Sequence, residues 1–202
     1  FVLYVLSANM GEILTIFTAI MLNLPLPLLP LQILWMNLIT DGLPALALGV
    51  EPKEPDIMKR KPRDPNEKML NRNTLIYIVA VGFIYVIGTL GLFYLELGNG
   101  ETKARTMAFT VIIMFEMFHA LAIRSYVPIY KIGFFSNRKL IIAIASSVAL
   151  QAMVIYIPFF NIIFDTVPLT ATDWIKIILV SSSIFFILEA KKLVLNRKKQ
   201  GG

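Results

Sequence analysis

Three acidic residues, Glu12, Asp41 and Glu116, stand in the middle of three separate apolar stretches, each with amides, hydroxyls or glycines nearby. A carboxylate at the centre of a bilayer costs roughly 2.5–3.5 kcal/mol on insertion scales. Three in one chain point to work that needs negative charge inside a membrane: holding a cation, exchanging protons, or both. On the first stretch Asn9 and Glu12 lie three residues apart and share a helix face, with Gly11 between them open to close approach by another backbone. On the second, Asn37, Thr40 and Asp41 fall at i, i+3 and i+4, and Gly42 and Pro44 follow at once. Proline cannot donate to the carbonyl four residues back and crowds it, while glycine lowers the cost of leaving helical geometry. The spacing therefore predicts a second helix partly unwound beside its own acid. Irregular backbone at membrane depth persists only where it lines a protein cavity, and discontinuous helices of this kind build ion sites in transporters.

Asn9, Glu12, Asn37, Thr40, Asp41 and Glu116 together supply six oxygen-bearing side chains, enough for one calcium ion, which takes about six to eight oxygens. Two adjacent sites would need further oxygens from backbone or from helices outside this chain. Three negative charges exceed what one divalent ion neutralises, so proton counter-movement is a natural expectation.

The elements that position these groups are membrane helices. With 57% hydrophobic and 16% charged residues and a mean hydropathy of +0.72, the chain carries more apolar side chain than a soluble domain of 202 residues can bury. A spanning helix needs about 20 mostly apolar residues, and six stretches qualify: about 2–22, 28–50, 73–96, 106–124, 140–160 and 173–190. The expected fold is an all-α polytopic bundle of six transmembrane helices with a basic loop at 51–72. Lys and Arg collect on cytoplasmic loops. If six helices alternate, sixteen of the nineteen basic residues fall on one side, including Lys53 to Arg72, Arg124 to Lys139 and Lys191 to Lys199. Both termini are then cytoplasmic. The other side keeps only Lys103, Arg105 and Lys176. The net charge of +6 thus reflects topology and anionic lipid headgroups. The basic runs are accounted for by this topology, so no nucleic-acid partner is expected.

Cysteine is absent and His119 is the only histidine, which leaves copper and zinc poorly served and favours a hard, oxygen-seeking cation. The chain opens inside an apolar run, Phe-Val-Leu-Tyr-Val-Leu, and the reading expects a piece of a longer polypeptide.

The residues then carry a resemblance. Tyr4-Val5-Leu6-Ser7-Ala8-Asn9-Met10-Gly11-Glu12 and Gln32 through Asn37-Leu38-Ile39-Thr40-Asp41-Gly42-Leu43-Pro44-Ala45 resemble P-type calcium-transporting ATPases of the sarco/endoplasmic reticulum type. The likeness continues through Glu51 to Met58, Pro62-Arg63-Asp64-Pro65, Glu116-Met117 with Ala120-Leu121, and Leu169 to Trp174. It covers the chain as the last six of that family's ten membrane helices. The resemblance implies one calcium site from Asn9, Glu12, Thr40, Asp41 and Glu116, and a second that shares Asp41 with Asn37 and draws its remaining ligands from an earlier helix. It implies two ions per cycle, since single-calcium relatives usually lack an acid at the position of Glu12. Sodium/potassium pumps carry an extra aspartate where Asn37 stands. The partners implied are the amino-terminal membrane helices and cytoplasmic domains of the same pump. ATP and magnesium belong to those domains, because this chain has no Asp-Lys-Thr-Gly-Thr phosphorylation motif. The membrane implied is the cell membrane of a prokaryote or an internal membrane of a eukaryote.

One departure is His119, three residues after Glu116, where those relatives tend to carry an amide. It either tunes the acid or packs as a bonded core histidine. Glu189 beside Lys191 and Lys192 reads as an interfacial ion pair. Thr15, Thr18, Gln151 and Ser181 to Ser183 read as helix-packing groups. Two other classes fit the composition: a self-contained cation channel or exchanger, and a membrane module that moves no ion.

Overall fold

A computed structural model describes residues 1–51, 70–125 and 127–200, with side chains as far as Val194. Most of the basic loop expected at 51–72 lies outside the described residues. Helices are the regular structure of the described residues, with no strand among them. Helix α1 spans Val2–Met21, α2 Pro30–Trp35, α3 Gly42–Gly49, α4 Arg72–Glu96 and α5 Glu101–Ile123. After the short α6 (Ile129–Ile132) come α7 (Arg138–Tyr156), α8 (Pro158–Phe164) and α9 (Ala171–Gln200).

Among the described residues, five helical stretches are long and apolar enough to cross a membrane: Val2–Met21, Pro30–Gly49, Arg72–Asn99, Glu101–Ile123 and Arg138–Tyr156. Helix α9 is longer than any of them, and residues 177–188 form an uncharged run between Lys176 and Glu189. The stretch expected at 140–160 stops at Tyr156. Pro158 cannot continue it, Ile157 takes an extended conformation, and the proline instead starts α8 from its first turn.

Sequence polarity is arranged inside out. Along α1 the buried stripe is Tyr4, Ser7, Ala8, Gly11, Glu12, Thr15 and Ala19, while Ile13, Phe17 and Ile20 face outward at 57–62% exposure. In lipid, apolar side chains gain nothing by leaving the surface, so small and polar residues mark the packed face. Gly82 of α4 lies against α1, where an added Cβ would come within 3.0 Å of Leu14 and 3.1 Å of Met10. At Gly11 an added Cβ would stand 2.4 Å from the ring of Tyr85. These two glycines let α1 pack along α4, its most extensive neighbour.

Helix α5 is the centre of the bundle. Of its most apolar stretch 83% is buried, against 33–44% for the other four, and it packs on both α4 and α9. A glutamate about two-thirds of the way along it, Glu116, is therefore fully enclosed.

Polar side chains fix the helix ends. Asn71 caps α4 by accepting from the Thr74 N–H at 2.8 Å, and Asn137 caps α7 by accepting from that of Leu140 at 2.9 Å. Thr170 and Asp173 cap α9 reciprocally, each accepting from the other's backbone N–H. At the basic end Arg124 donates to Glu51 at 3.1 Å and to the Phe134 carbonyl at 3.0 Å, tying the end of α3 to the approach to α7.

Candidate cation site

Glu12 reaches the site from α1, Asp41 from the second span and Glu116 from α5. All three are buried, at 3%, 3% and 0% exposure. One oxygen from each lies within 4.8 Å of the other two. A calcium ion held at about 2.3–2.6 Å from each oxygen tolerates ligand separations up to about twice that distance, so a single cation can touch all three. Among the described residues no Lys or Arg pairs with any of them, and Glu12 Oε1, Asp41 Oδ2 and both oxygens of Glu116 are buried without a protein donor. Buried charge left without compensation is costly. The donor set, four buried carboxylate oxygens without a protein donor, fits a hard cation or protons.

The backbone beside Asp41 departs from α geometry. Met36–Thr40 form a π-helical turn between α2 and α3, closed by the Asp41 N–H donating to the Met36 carbonyl at 2.8 Å. The segment stays helical through this turn, and α3 resumes at Gly42. Pro44 has no N–H for the Thr40 carbonyl. Ser147 of α7 donates its hydroxyl to that carbonyl instead, at 3.4 Å. The altered turn thus precedes the proline, and the orphaned acceptor is met by a neighbouring helix.

The other amides and hydroxyls surround the three acids in different ways. Asn37 donates its amide to Glu12 Oε2 at 3.2 Å and to the Ile33 carbonyl at 3.1 Å, and it is itself exposed. Asn9 is half-buried one turn before Glu12 and donates to the Val5 carbonyl at 2.9 Å. Thr40 is buried, and its hydroxyl donates to the Met36 carbonyl at 3.2 Å, keeping acceptor lone pairs free. The first two spans meet here through side chains, Asn37 to Glu12 and Tyr4 to Asp41, rather than by close backbone packing.

Tyr4 escaped the sequence reading. Its hydroxyl donates to Asp41 Oδ1 at 3.2 Å from a fully buried position. The signal was its place two turns before Glu12 on the same stripe of α1. Ser147 escaped as well, because a serine pair, Ser146-Ser147, in an apolar helix looks like ordinary packing.

His119 is a bonded core residue. It is fully buried, hydrogen-bonded through Nε2 to Tyr77 at 2.9 Å and through Nδ1 to Tyr85 at 3.4 Å. Tyr4 packs beside its ring at 5.7 Å. The Tyr4 and Tyr85 side chains thus join the histidine to the acids' surroundings, and Tyr85 also stacks on Phe115. Gln151 donates to the Thr110 hydroxyl at 3.2 Å, a bond between α7 and α5.

Residues 25–194 match the family described as cation transporting ATPase, C-terminus. The chain is 40% identical over 202 residues to a calcium-transporting ATPase of Bacillus subtilis, with 98% of the chain and 22% of that protein covered. It is 37% identical over 201 residues to calcium-transporting ATPase 1 of Yarrowia lipolytica, again covering 98% of the chain and 22% of the relative. With calcium-transporting ATPase type 2C member 2 of Rattus norvegicus it shares 39% over 197 residues, covering 96% of the chain and 21% of the relative. The chain thus spans about a fifth of the length of these relatives. A match over most of its length, on a helical bundle with three acids converging inside it, leads to one conclusion: this chain belongs to the family of cation-transporting ATPases, in their carboxy-terminal region.

Proposed function

We propose that this chain is the ion-binding transmembrane half of an ATP-driven P-type calcium pump, exporting or sequestering cytoplasmic calcium in exchange for protons. The observation that carries this reading is the convergence of Glu12, Asp41 and Glu116, from three separate helices, on a volume one divalent ion can bridge. The names of the relatives supply calcium as the cargo. Asn9, Thr40 and Asn37 complete the oxygen set, with Asn37 and Asp41 contributing to a second ion shared with an amino-terminal helix of the same pump. Glu12 favours the reticulum-like, two-ion type.

In this reading α9 is the sixth span, both termini are cytoplasmic, and the second span loosens at Met36–Thr40 to present backbone carbonyls to the ion. The cargo is held by carboxylates while they are ionised. When the cation leaves for the far side, the three crowded acids take up protons, and those protons return on the next cycle. Phosphorylation in the cytoplasmic domains, which use ATP and magnesium, tilts α1 and the second span and so changes the grip of Glu12 and Asp41.

The test is calcium-45 binding to the full-length pump, with and without Asp41→Asn, from micromolar to millimolar free calcium. Saturable binding lost in the variant supports the reading, and retained high-affinity binding overturns it. Glu12→Gln is expected to weaken binding without abolishing it; an unchanged calcium dependence removes Glu12 from the ligand set.

A further inference from the structure

A furrow runs between α4 and α9 on the outside of the bundle, in two connected lengths. The first, about 300 Å³, opens between Asn73 and Lys191 and continues past Tyr77 to Ile84 and Ile187. The second, about 460 Å³, shares Ile84 and Ile187 and runs on past Gly91 to Leu95. From Asn73 to Ile84 an α-helix rises about 16 Å, one leaflet of a hydrocarbon core about 30 Å thick. The polar side chains of the first length, Asn73, Tyr77 and Lys191, stand together at its basic end, and the rest of its lining is apolar.

Lys191 is set up to receive an anion. Its ammonium lies over the Tyr77 ring, 5.3 Å from the centroid. The nearest acid in sequence is already committed: Glu189 pairs with Lys192 at 2.6 Å and accepts from the Ile129 N–H at 2.9 Å. Among the described residues Lys191 meets no carboxylate. About 300 Å³ spread over about 16 Å of helix rise is an average cross-section of roughly 20 Å², which suits one extended hydrocarbon chain and is far less than a helix about 10 Å across requires.

We propose that the furrow between α4 and α9 is a binding site for one anionic phospholipid, with its phosphate at Lys191 and Asn73 and an acyl chain laid along the floor past Ile84 and Ile187. The inference rests on α9 being a spanning helix and is independent of which cation the acids hold. The headgroup is recognised by charge, the tail by shape. A zwitterionic lipid with the same chains fits the floor but gains less at the mouth.

The experiment is native mass spectrometry of the purified full-length protein, titrated with phosphatidylglycerol and with phosphatidylcholine of matched chains. One phosphatidylglycerol is expected to be retained in preference, and Lys191→Gln to lower that preference about fivefold, the worth of one lysine near an anionic surface. Ala80→Phe, which fills the floor, is expected to remove this site's lipid whichever headgroup it carries. Lys131→Gln, on the same basic face outside the furrow, is expected to change nothing. Equal preference in the wild type and Lys191→Gln overturns the proposal. So does displacement by inorganic phosphate at the same concentration, which would make the site one for a free anion. Cross-linking of Ala80→Cys to a co-purifying single-span protein, with no lipid retained, overturns it too. Calcium transport that survives while the lipid preference is absent breaks this inference alone.

Discussion

The chain solves the problem of buried charge in two opposite ways. At the end of the bundle away from the basic face, Glu96 and Asp173 are 2% and 1% exposed, yet both are fully answered. Lys176 pairs with Glu96 at 2.5 Å, Lys103 with Asp173 at 3.0 Å and with Glu96 at 3.6 Å, and Asn99 donates to Glu96 at 2.8 Å. Beside them Arg105 pairs with Glu101 and, at 2.6 Å, with Asp165. All three basic residues assigned to this side are thus spent on acids. In the middle, Glu12, Asp41 and Glu116 have between them Tyr4, Asn37 and no cation among the described residues. The fold can supply a lysine to a buried acid and does so twice over at its end. Leaving the central acids uncompensated is therefore a property of the site, and under the proposed function a permanent lysine there would occupy the place of the cation.

The strongest way to break this comparison is to neutralise one acid of each kind. Asp41→Asn in the full-length pump is expected to lower calcium-dependent phosphorylation at least about 100-fold, equivalent to about 2.7 kcal/mol. Glu96→Gln is expected to leave the calcium dependence unchanged. A Glu96 variant that shifts calcium affinity as far as the Asp41 variant would erase the distinction.

Stability gives a second contrast. Calcium at about 100 times its dissociation constant is expected to stabilise the wild-type pump by about 2.7 kcal/mol, read as a rise in melting temperature. Glu116→Gln removes a buried acid that no protein group pairs, so without calcium its melting temperature is expected to equal or exceed that of the wild type, and the calcium-induced rise to vanish. A lower melting temperature in chelator would show that Glu116 is structurally required.

Geometry can be attacked without touching charge. Gly11→Ala pushes a methyl into the buried ring of Tyr85, an overpacking expected to cost about 1–3 kcal/mol. Because Glu12 is the next residue, calcium affinity should fall with stability. Glu96→Gln, by contrast, is expected to cost about 1–2 kcal/mol, modest because Lys176 is half exposed. The smallest effect is expected at Ser147→Ala, about 0.5–1.5 kcal/mol for one hydrogen bond to the Thr40 carbonyl, measured by chemical denaturation.

The central acids were legible because a carboxylate in an apolar run is expensive whatever surrounds it, so Glu12, Asp41 and Glu116 announce themselves without any knowledge of packing. Pro44 likewise pointed to the correct carbonyl, that of Thr40. Tyr4 and Ser147 were hidden because tyrosine and serine carry little penalty in a membrane helix, and only the three-dimensional arrangement shows what they serve. The neighbour of α1 was hidden for a related reason. Chain order does not reveal it, because backbone approach in lipid follows small residues, and Gly82 of the distant α4 lies against Gly11. The paired acids Glu96 and Asp173 were missed because they lie at the ends of their stretches, where charge is cheap and spacing says nothing about partners.

The turn at Met36–Thr40 has one further consequence, which concerns register. A π-helical turn holds one more residue than an α-helical one. If that surplus residue migrates along the helix, each side chain it passes rotates by about 100° and rises about 1.5 Å, while the hydrogen-bond ladder is re-formed behind it one bond at a time. Asn37, Thr40 and Asp41 sit in or directly after that turn. The helix can thus redirect these three side chains in sequence like a travelling dislocation, with the two α-helical segments on either side left intact.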